Sequence, residues 1–193
     1  MDSIKYYDEN AETFALSTVD ADMSMMRNRF VEHIGKGGKI LDAGCGSGRD
    51  CKRFLELGYD AEAFDASGKM CRIASEYIGK EVRQLRFEEL DYEAEFDGIW
   101  ACASLLHVSQ ENLPAVMKRL KKALKPGGVL YASFKYGEGE SEKSGRTFTN
   151  MTEETLDKLF RDADFDICES IISNDVRPGR DNEKWINAIG ESR

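Results

Sequence analysis

The pattern of apolar and polar positions alternates between strand-like and helix-like segments along most of the chain. Short apolar runs predict strands at 39–43, 59–65, 82–87, 96–103, 129–136, 165–173 and 184–189. Apolar residues at helical spacing predict helices at 20–34, 47–57, 67–78, 109–124 and 152–163. Residues 137–148 are polar and glycine-rich and have no period, which predicts a loop.

Strands that alternate with helices imply βαβ units. We therefore predict an α/β fold, a doubly wound Rossmann-like sheet of seven strands that is mostly parallel and carries helices on both faces. The length of 193 residues and a hydrophobic share of 41% suit a single domain over 1–193.

Composition and charge limit the partners. No apolar run reaches the roughly 18 residues of a membrane span, and the polar N-terminus does not resemble a signal segment. We expect a cytoplasmic protein, a monomer or homodimer, with no membrane partner. The net charge of −9 argues against a nucleic-acid partner. Five cysteines without a CxxC pair and two histidines favour reduced thiols and no metal site.

The most informative segment is Asp42-Ala43-Gly44-Cys45-Gly46-Ser47-Gly48, between the first predicted strand and a helix. Glycines permit a sharp turn and a close approach of the backbone to a ligand, and the helix start offers free N–H groups. The dinucleotide fingerprint GxGxxG would place its third glycine at Arg49, so the spacing disfavours an NAD-dependent oxidoreductase. Asp65, at the end of the second strand, is placed to accept hydrogen bonds from two ribose hydroxyls.

The DxGxGxG spacing resembles motif I of the class I SAM-dependent methyltransferases. Three further segments resemble motifs of that family: residues 86–88, residues 96–107, and the turn Lys125-Pro126-Gly127-Gly128. The resemblance covers about residues 35–137 and implies S-adenosyl-L-methionine (SAM) as the cofactor. It implies cofactor contacts at Asp42, Gly44, Cys45, Gly46, Asp65, Ala66, Phe87, Glu88 and Cys102.

The N-terminal pattern Tyr6-Tyr7-x-x-x-Ala11-x-x-Phe14 resembles the YYxxxAxxY motif of many small members of the family. The resemblance implies a helical lid over 1–35 that brings Tyr7 to the substrate, with Phe14 in place of the usual tyrosine. An aromatic docking stripe is the alternative.

Two further residues are candidates for the acceptor side. Gly145-Arg146-Thr147-Phe148 resembles the GRxF loop of small members related to tellurite-resistance and trans-aconitate-type methyltransferases, which makes 137–149 the substrate-side loop. Arg146 would bind an anionic group of the substrate, or else remain a solvated loop arginine. His107, at the carboxyl end of the fourth strand, is the candidate general base or substrate contact, and a structural histidine is the alternative. Ser104 nearby either contacts a ligand or caps a helix.

Methyl transfer from a sulfonium is an SN2 displacement, for which a protein aligns the nucleophile and excludes water. We expect an enzyme, a SAM-dependent methyltransferase that acts on a small-molecule acceptor by in-line transfer. The alternative is a SAM-binding regulatory or accessory protein without turnover. A macromolecule methyltransferase is disfavoured, because Ala101-Cys102-Ala103-Ser104 stands where an Asn/Asp-Pro-Pro-Tyr/Phe motif for amino methylation would lie.

Overall fold

The chain alternates helices and strands, and the computed structural model describes residues 3–180 and 182–193. The helices are α1 Ser3–Thr18, α2 Ser24–Glu32, α3 Arg49–Glu56, α4 Gly68–Ile78, α5 Leu113–Ala123 and α6 Glu153–Asp162. The strands are β1 Lys39–Ala43, β2 Asp60–Asp65, β3 Arg83–Gln84, β4 Phe96–Ala101, β5 Leu124–Lys135, β6 Glu140–Lys143, β7 Arg146–Thr149, β8 Phe165–Asn174 and β9 Lys184–Ser192. Short 3-10 turns occupy Phe87–Glu89 and Leu105–His107.

One sheet of seven strands has the order β3-β2-β1-β4-β5-β9-β8. Strands β1 to β5 pair in parallel, whereas β9 is antiparallel to both β5 and β8. The chain winds outwards from β1 in one direction and from β4 in the other, so a crevice opens between the carboxyl ends of these two strands. The predicted doubly wound, mostly parallel sheet is confirmed.

Helices bury both faces of the sheet. Leu41 and Ile99 belong to an apolar cluster that includes residues of α5 and α6. Their chain neighbours Ile40 and Trp100 point the other way, into a second cluster with residues of α2, α3 and α4. Because the central strands are buried on both sides, they read as continuous apolar runs.

Several element boundaries differ from the predicted ones. The helix predicted at 109–124 begins only at Leu113, because Pro114 fits the first turn of a helix and a 3-10 turn precedes it. That helix ends at Ala123, since Leu124 already pairs with Phe96 as part of β5. The strand predicted at 82–87 is only Arg83–Gln84, an edge strand paired on one side.

The loop predicted at 137–148 is wrong over most of its length. Glu140–Lys143 and Arg146–Thr149 pair as an antiparallel hairpin. Ser144 and Gly145 connect them with φ of 53° and 76°, and two positive values are typical of a type I′ turn. All side chains of β6 are exposed, so this strand has no apolar alternation for a sequence pattern to detect.

Three further observations concern the described residues. No helix among them combines the length and the apolar character needed to cross a bilayer. Within the same two ranges, no three His, Cys, Asp or Glu side chains gather as metal ligands would. The five cysteines are all free thiols.

Candidate functional site

The glycine segment leaves β1, turns back on itself and starts α3. The N–H groups of Gly44 and Cys45 both donate to the Phe64 carbonyl of β2, each at 3.0 Å. Gly44 has a φ of 74°, which glycine adopts without strain. A Cβ on Gly44 would lie 2.5 Å from the Cβ of Ser104, so only glycine lets the loops after β1 and β4 meet. Ser104 Oγ donates to the Ala43 carbonyl at 2.6 Å and holds the two loops together.

The last glycine of the segment serves packing between helices. Gly48 precedes α3 with a φ of 79°, and a Cβ there would lie 2.7 Å from Ile78 Cδ1 of α4. Gly48 therefore allows the close contact between α3 and α4. Arg49, where the dinucleotide fingerprint would have its third glycine, could not allow it.

A buried ionic cluster supports the loop from below. Asp50 accepts hydrogen bonds from Arg27 of α2 at 2.5 Å, from the neighbouring Arg49, and from Trp100 Nε1 of β4 at 3.1 Å. Burial opposes ionisation of Asp50, but the guanidinium groups of Arg49 and Arg27 hold its pKa below the usual value. The cluster joins three elements beneath the crevice.

The two acidic residues predicted to contact the cofactor lie on different sides of the loop. Asp65 lines the crevice, and its oxygens accept the N–H groups of Gly46 and Ser67, each at 2.9 Å. Burial raises the pKa of Asp65, and these two donors offset part of the rise. Asp42 is buried outside the crevice and accepts the Cys51 N–H at 3.0 Å, so it fixes the start of α3. The structure does not bring Asp42 to the crevice surface.

A cavity of about 730 Å³ opens at this edge of the sheet, a volume typical of small-molecule sites. Of the predicted cofactor contacts, it is lined by Gly44, Cys45, Gly46, Asp65, Ala66, Phe87, Glu88 and Cys102. The predicted acceptor-side residues Tyr7, His107 and Arg146 line it too. Burial raises the pKa of Cys102 to about 12, so this thiol stays protonated at neutral pH.

Tyr7 of α1 and His107 form a hydrogen-bonded pair in the cavity wall. Tyr7 Oη lies 2.7 Å from His107 Nε2, and His107 Nδ1 lies 2.8 Å from the Thr147 carbonyl oxygen of β7. Because a carbonyl only accepts, this network assigns the proton to Nδ1 and makes Nε2 the acceptor of the Tyr7 hydroxyl. Burial lowers the pKa of His107 to about 4, so the imidazole is neutral at pH 7.

Helix α1, which lies in the segment predicted to be an N-terminal lid, lines part of the cavity. Besides the Tyr7 contact, Ser3 Oγ accepts the Thr147 N–H at 3.2 Å. Asp8 accepts the Ser67 hydroxyl at 2.6 Å. The helix is thus tied both to the hairpin and to the start of α4.

Arg146 extends from β7 among aromatic rings. Its Cζ lies 4.3 Å from the ring centroid of Tyr6 and 5.2 Å from that of Phe148. Its Nε is buried without a hydrogen-bond partner. Among the ion pairs between described residues, none includes Arg146. Burial raises the pKa of Tyr7, and a hydrogen bond from the Arg146 side chain opposes that rise. The remaining N–H groups of this guanidinium, Nε among them, are left for an anion.

One part of the cavity wall is not predicted by the sequence pattern. Arg177 and Arg180, in the connection between β8 and β9, line the cavity. Since β8 runs in the same direction as β5, this connection lies at the same sheet edge as the glycine loop. Two arginines beside a Pro-Gly turn at that edge are the signal that could have revealed them.

The fold, the glycine loop and the acidic residue after β2 define a class of protein. Residues 40–128 match the family model of a methyltransferase domain, and this match, with the similar structures described next, supports a class I SAM-dependent methyltransferase.

Particular relatives are similar over parts or all of the chain. The structure of 1,6-didemethyltoxoflavin-N1-methyltransferase from Burkholderia thailandensis, with its substrate and S-adenosylhomocysteine (SAH) bound, has a TM-score of 0.79 and 25% identity. The match covers 99% of this chain and 85% of that one. A TehB-like methyltransferase structure from Corynebacterium glutamicum shares the fold, with a TM-score of 0.73, 17% identity, and coverage of 99% and 98%.

Curated relatives match over a shorter segment. Malonyl-(acyl-carrier protein) O-methyltransferase of Erwinia pyrifoliae is 32% identical over 118 residues, which are 56% of this chain and 43% of that protein. Ubiquinone biosynthesis O-methyltransferase of a Bradyrhizobium species is 31% identical over 102 residues, 50% of this chain and 40% of that protein. The chain thus spans less than half the length of these relatives.

Proposed function

We propose that this protein transfers the methyl group of SAM to a small-molecule acceptor by in-line displacement. The observation that carries the proposal is one continuous cavity. It is lined at one side by Asp65 and the glycine loop, and at the other by Tyr7, His107 and Arg146. A methyl donor and an acceptor must meet in one space that excludes water, and this cavity offers both sets of contacts.

The residues present suit SAM. Each Asp65 oxygen accepts one backbone N–H and keeps a lone pair, which matches the two hydroxyls of a ribose. Ala66, Phe87 and Glu88 line the side where adenine would lie, and Cys102 the side of the methionine part. When bound, SAM supplies a methyl carbon activated by its sulfonium sulfur.

On the acceptor side, Tyr7 and His107 act as a unit. The Tyr7 hydroxyl donates to His107 Nε2 and its oxygen accepts from Arg146, which leaves one lone pair for an O–H or N–H of the acceptor. An acceptor that loses a proton can pass it to Tyr7 as the Tyr7 proton moves to His107. The pKa of about 4 makes His107 a weak base, so its main part in this proposal is to orient Tyr7.

The proposal includes three features that composition and charge support. The protein is a cytoplasmic monomer or homodimer and forms a single domain over 1–193. The net charge of −9 disfavours a nucleic-acid substrate. Arg146 binds an anionic group of the acceptor.

Calorimetry with SAH tests the cofactor half of the proposal. We expect wild-type protein to bind SAH, and Asp65→Asn to bind it at least about a hundredfold more weakly, because two hydrogen bonds to a charged group are weakened. Asp60→Asn is the matched control, since Asp60 lies exposed at the other end of β2. No heat with SAH, or equal affinity of the two variants, would refute the assignment.

Labelled SAM tests turnover. We expect the label of the methyl group to appear in the small-molecule fraction of a cell extract with wild-type protein and not with Asp65→Asn. SAH binding without any transfer would instead favour a regulatory or accessory protein.

A further inference from the structure

We infer that the acceptor is a small molecule with at least two negative charges, held between Arg146 and Arg177. The inference rests on the proposed function, because it names the class of acceptor for the same cavity.

The acceptor side of the cavity carries more positive than negative charge. Five basic residues line it: Lys135, Lys143, Arg146, Arg177 and Arg180. Among the described residues, two carboxylates pair with them. Asp175 pairs with Arg177, and Glu183 lies 3.1 Å from Lys135, 3.5 Å from Lys143 and 3.7 Å from Arg180. Among the described residues, these five positive charges and two negative charges leave a formal surplus of three, although the side chains of Lys143 and Arg180 are 63% and 41% exposed.

Arg177 is held in a fixed orientation. Its Nε donates to Asp175 Oδ1 at 2.8 Å and its Nη2 to Asp175 Oδ2, while its own backbone N–H also donates to this carboxylate. Trp185 Nε1 donates to Asp175 at 3.2 Å, and Asp175 is only 7% exposed. Because a buried carboxylate takes up one edge of the guanidinium, Nη1 is the group left for a ligand.

Arg146 complements Arg177 from the hairpin. The Tyr6 ring covers one face of the Arg146 guanidinium, and the buried Nε of Arg146 has no hydrogen-bond partner. An anion here would balance the positive charge of Arg146 and accept the hydrogen bond of its Nε–H. Both arginines line the same cavity as Tyr7, and the Arg146 Cζ is 5.9 Å from the Tyr7 ring centroid. An anion bound by both would therefore lie beside the Tyr7–His107 pair.

The two arginines select among anions by number of charges. A neutral molecule would leave Arg146, which pairs with no carboxylate among the described residues, without a counter-ion, and a single carboxylate would leave Arg177 Nη1 without an acceptor. A dicarboxylate or a phosphate compensates both arginines, and its oxygens match the guanidinium edges. The shared chemistry is thus a compact dianion.

Succinate, butyrate, succinamide and inorganic phosphate are the probes, titrated by calorimetry into protein with and without saturating SAH. We expect succinate to bind about tenfold or more tightly than butyrate, and succinamide not to bind, since each charge-assisted contact contributes about a tenfold factor or more. If phosphate binds more tightly than succinate, the two negative charges of the acceptor belong to one phosphate-like group and not to two carboxylates. Equal binding of succinate and succinamide would overturn the inference.

Three variants locate the site. Arg146→Gln and Arg177→Gln should each weaken succinate binding about tenfold to a hundredfold. Arg161→Gln, an exposed arginine of α6, should leave it unchanged. Because Arg177→Gln leaves Asp175 without its partner, Arg177→Lys is measured beside it. Lysine keeps the positive charge of arginine but not its planar guanidinium. The Arg177→Lys variant should therefore bind succinate more weakly, while its SAH affinity and melting temperature stay near those of wild type.

Failure of the dianion site and failure of the methyltransferase proposal would give different binding results. SAH binding with no preference for succinate over succinamide refutes the dianion and leaves the methyltransferase proposal standing. Succinate binding that depends on Arg146 and Arg177, in a protein that never binds SAH, refutes the methyltransferase proposal and retains the anion site. Wild-type succinate affinity in both glutamine variants refutes the inference directly.

Discussion

Lowering the pH from 7.5 to 5 should destabilise the folded protein through His107. In the unfolded chain this imidazole takes up a proton near its ordinary pKa of 6.5, whereas burial lowers the folded pKa to about 4. The folded pKa is the lower one, so the stability is fully present above pH 6.5 and is lost progressively as the pH falls towards 4. The loss from these two values is about 2 kcal/mol at pH 5 and approaches about 3 kcal/mol below pH 4.

Urea unfolding of wild type and His107→Asn at both pH values measures this effect. Carboxylates titrate in both proteins, so the difference between them isolates the imidazole. We expect the stability difference between the two proteins to shift by about 2 kcal/mol in favour of the variant between pH 7.5 and 5. NMR titration gives the pKa directly, and His33, the other histidine, is assigned with His33→Gln. A difference that stays flat with pH, or a His107 pKa above 6, would refute the buried neutral imidazole.

Two stability predictions follow from the backbone. Gly48→Ala should destabilise by about 1–3 kcal/mol more than Gly58→Ala in urea unfolding, because both glycines have positive φ but only Gly48 meets a neighbour, Ile78, within 4 Å. Equal costs would show that α3 and α4 separate easily. Thr152→Ala should cost about 1 kcal/mol in urea unfolding, since Thr152 Oγ1 caps α6 by accepting the Thr155 N–H. Thr13→Ala inside α1 is the control and should be neutral or slightly stabilising in the same measurement.

The central strands of the sheet were predictable because most of their residues are buried. Residues such as Ile40 and Leu41 face opposite sides of β1, and both sides are covered by helices, so apolar runs mark these strands. The glycine segment was predictable for a different reason. Its backbone conformation and its close contacts at Gly44 and Gly48 exclude other residues, so its chemistry is written in the local sequence.

The β6–β7 hairpin and the connection between β8 and β9 were not predictable in this way. β6 buries no side chain, and its pairing with β7 depends on a two-residue turn and on contacts with distant elements. Thr147 illustrates the point: its N–H donates to Ser3 and its carbonyl accepts from His107, residues far away in the chain. No periodicity within 137–149 records those partners.

The sequence also predicts some features of the candidate site and not others. Contacts from the ends of β1, β2 and β4 were predictable, because parallel strands bring their carboxyl ends to one edge. Asp42 was predicted as a cofactor contact from its place in the motif, yet its carboxylate faces Cys51 and stabilises α3. A motif position therefore identifies a residue that the site needs, but not the side of the loop on which its side chain lies.

The contacts of α1 connect the two halves of the cavity. Asp8 accepts a hydrogen bond from Ser67, which follows the cavity-lining Ala66, while Ser3 accepts one from Thr147, which follows Arg146. The helix lies across both halves, so displacing it would loosen the surroundings of Asp65 and of the acceptor-side arginine together. Tyr7, between these two ties, forms a hydrogen bond with His107 in the cavity wall. In the proposed reaction, this one helix would help to shield the donor and the acceptor from water, which is the main contribution that displacement chemistry requires from a protein.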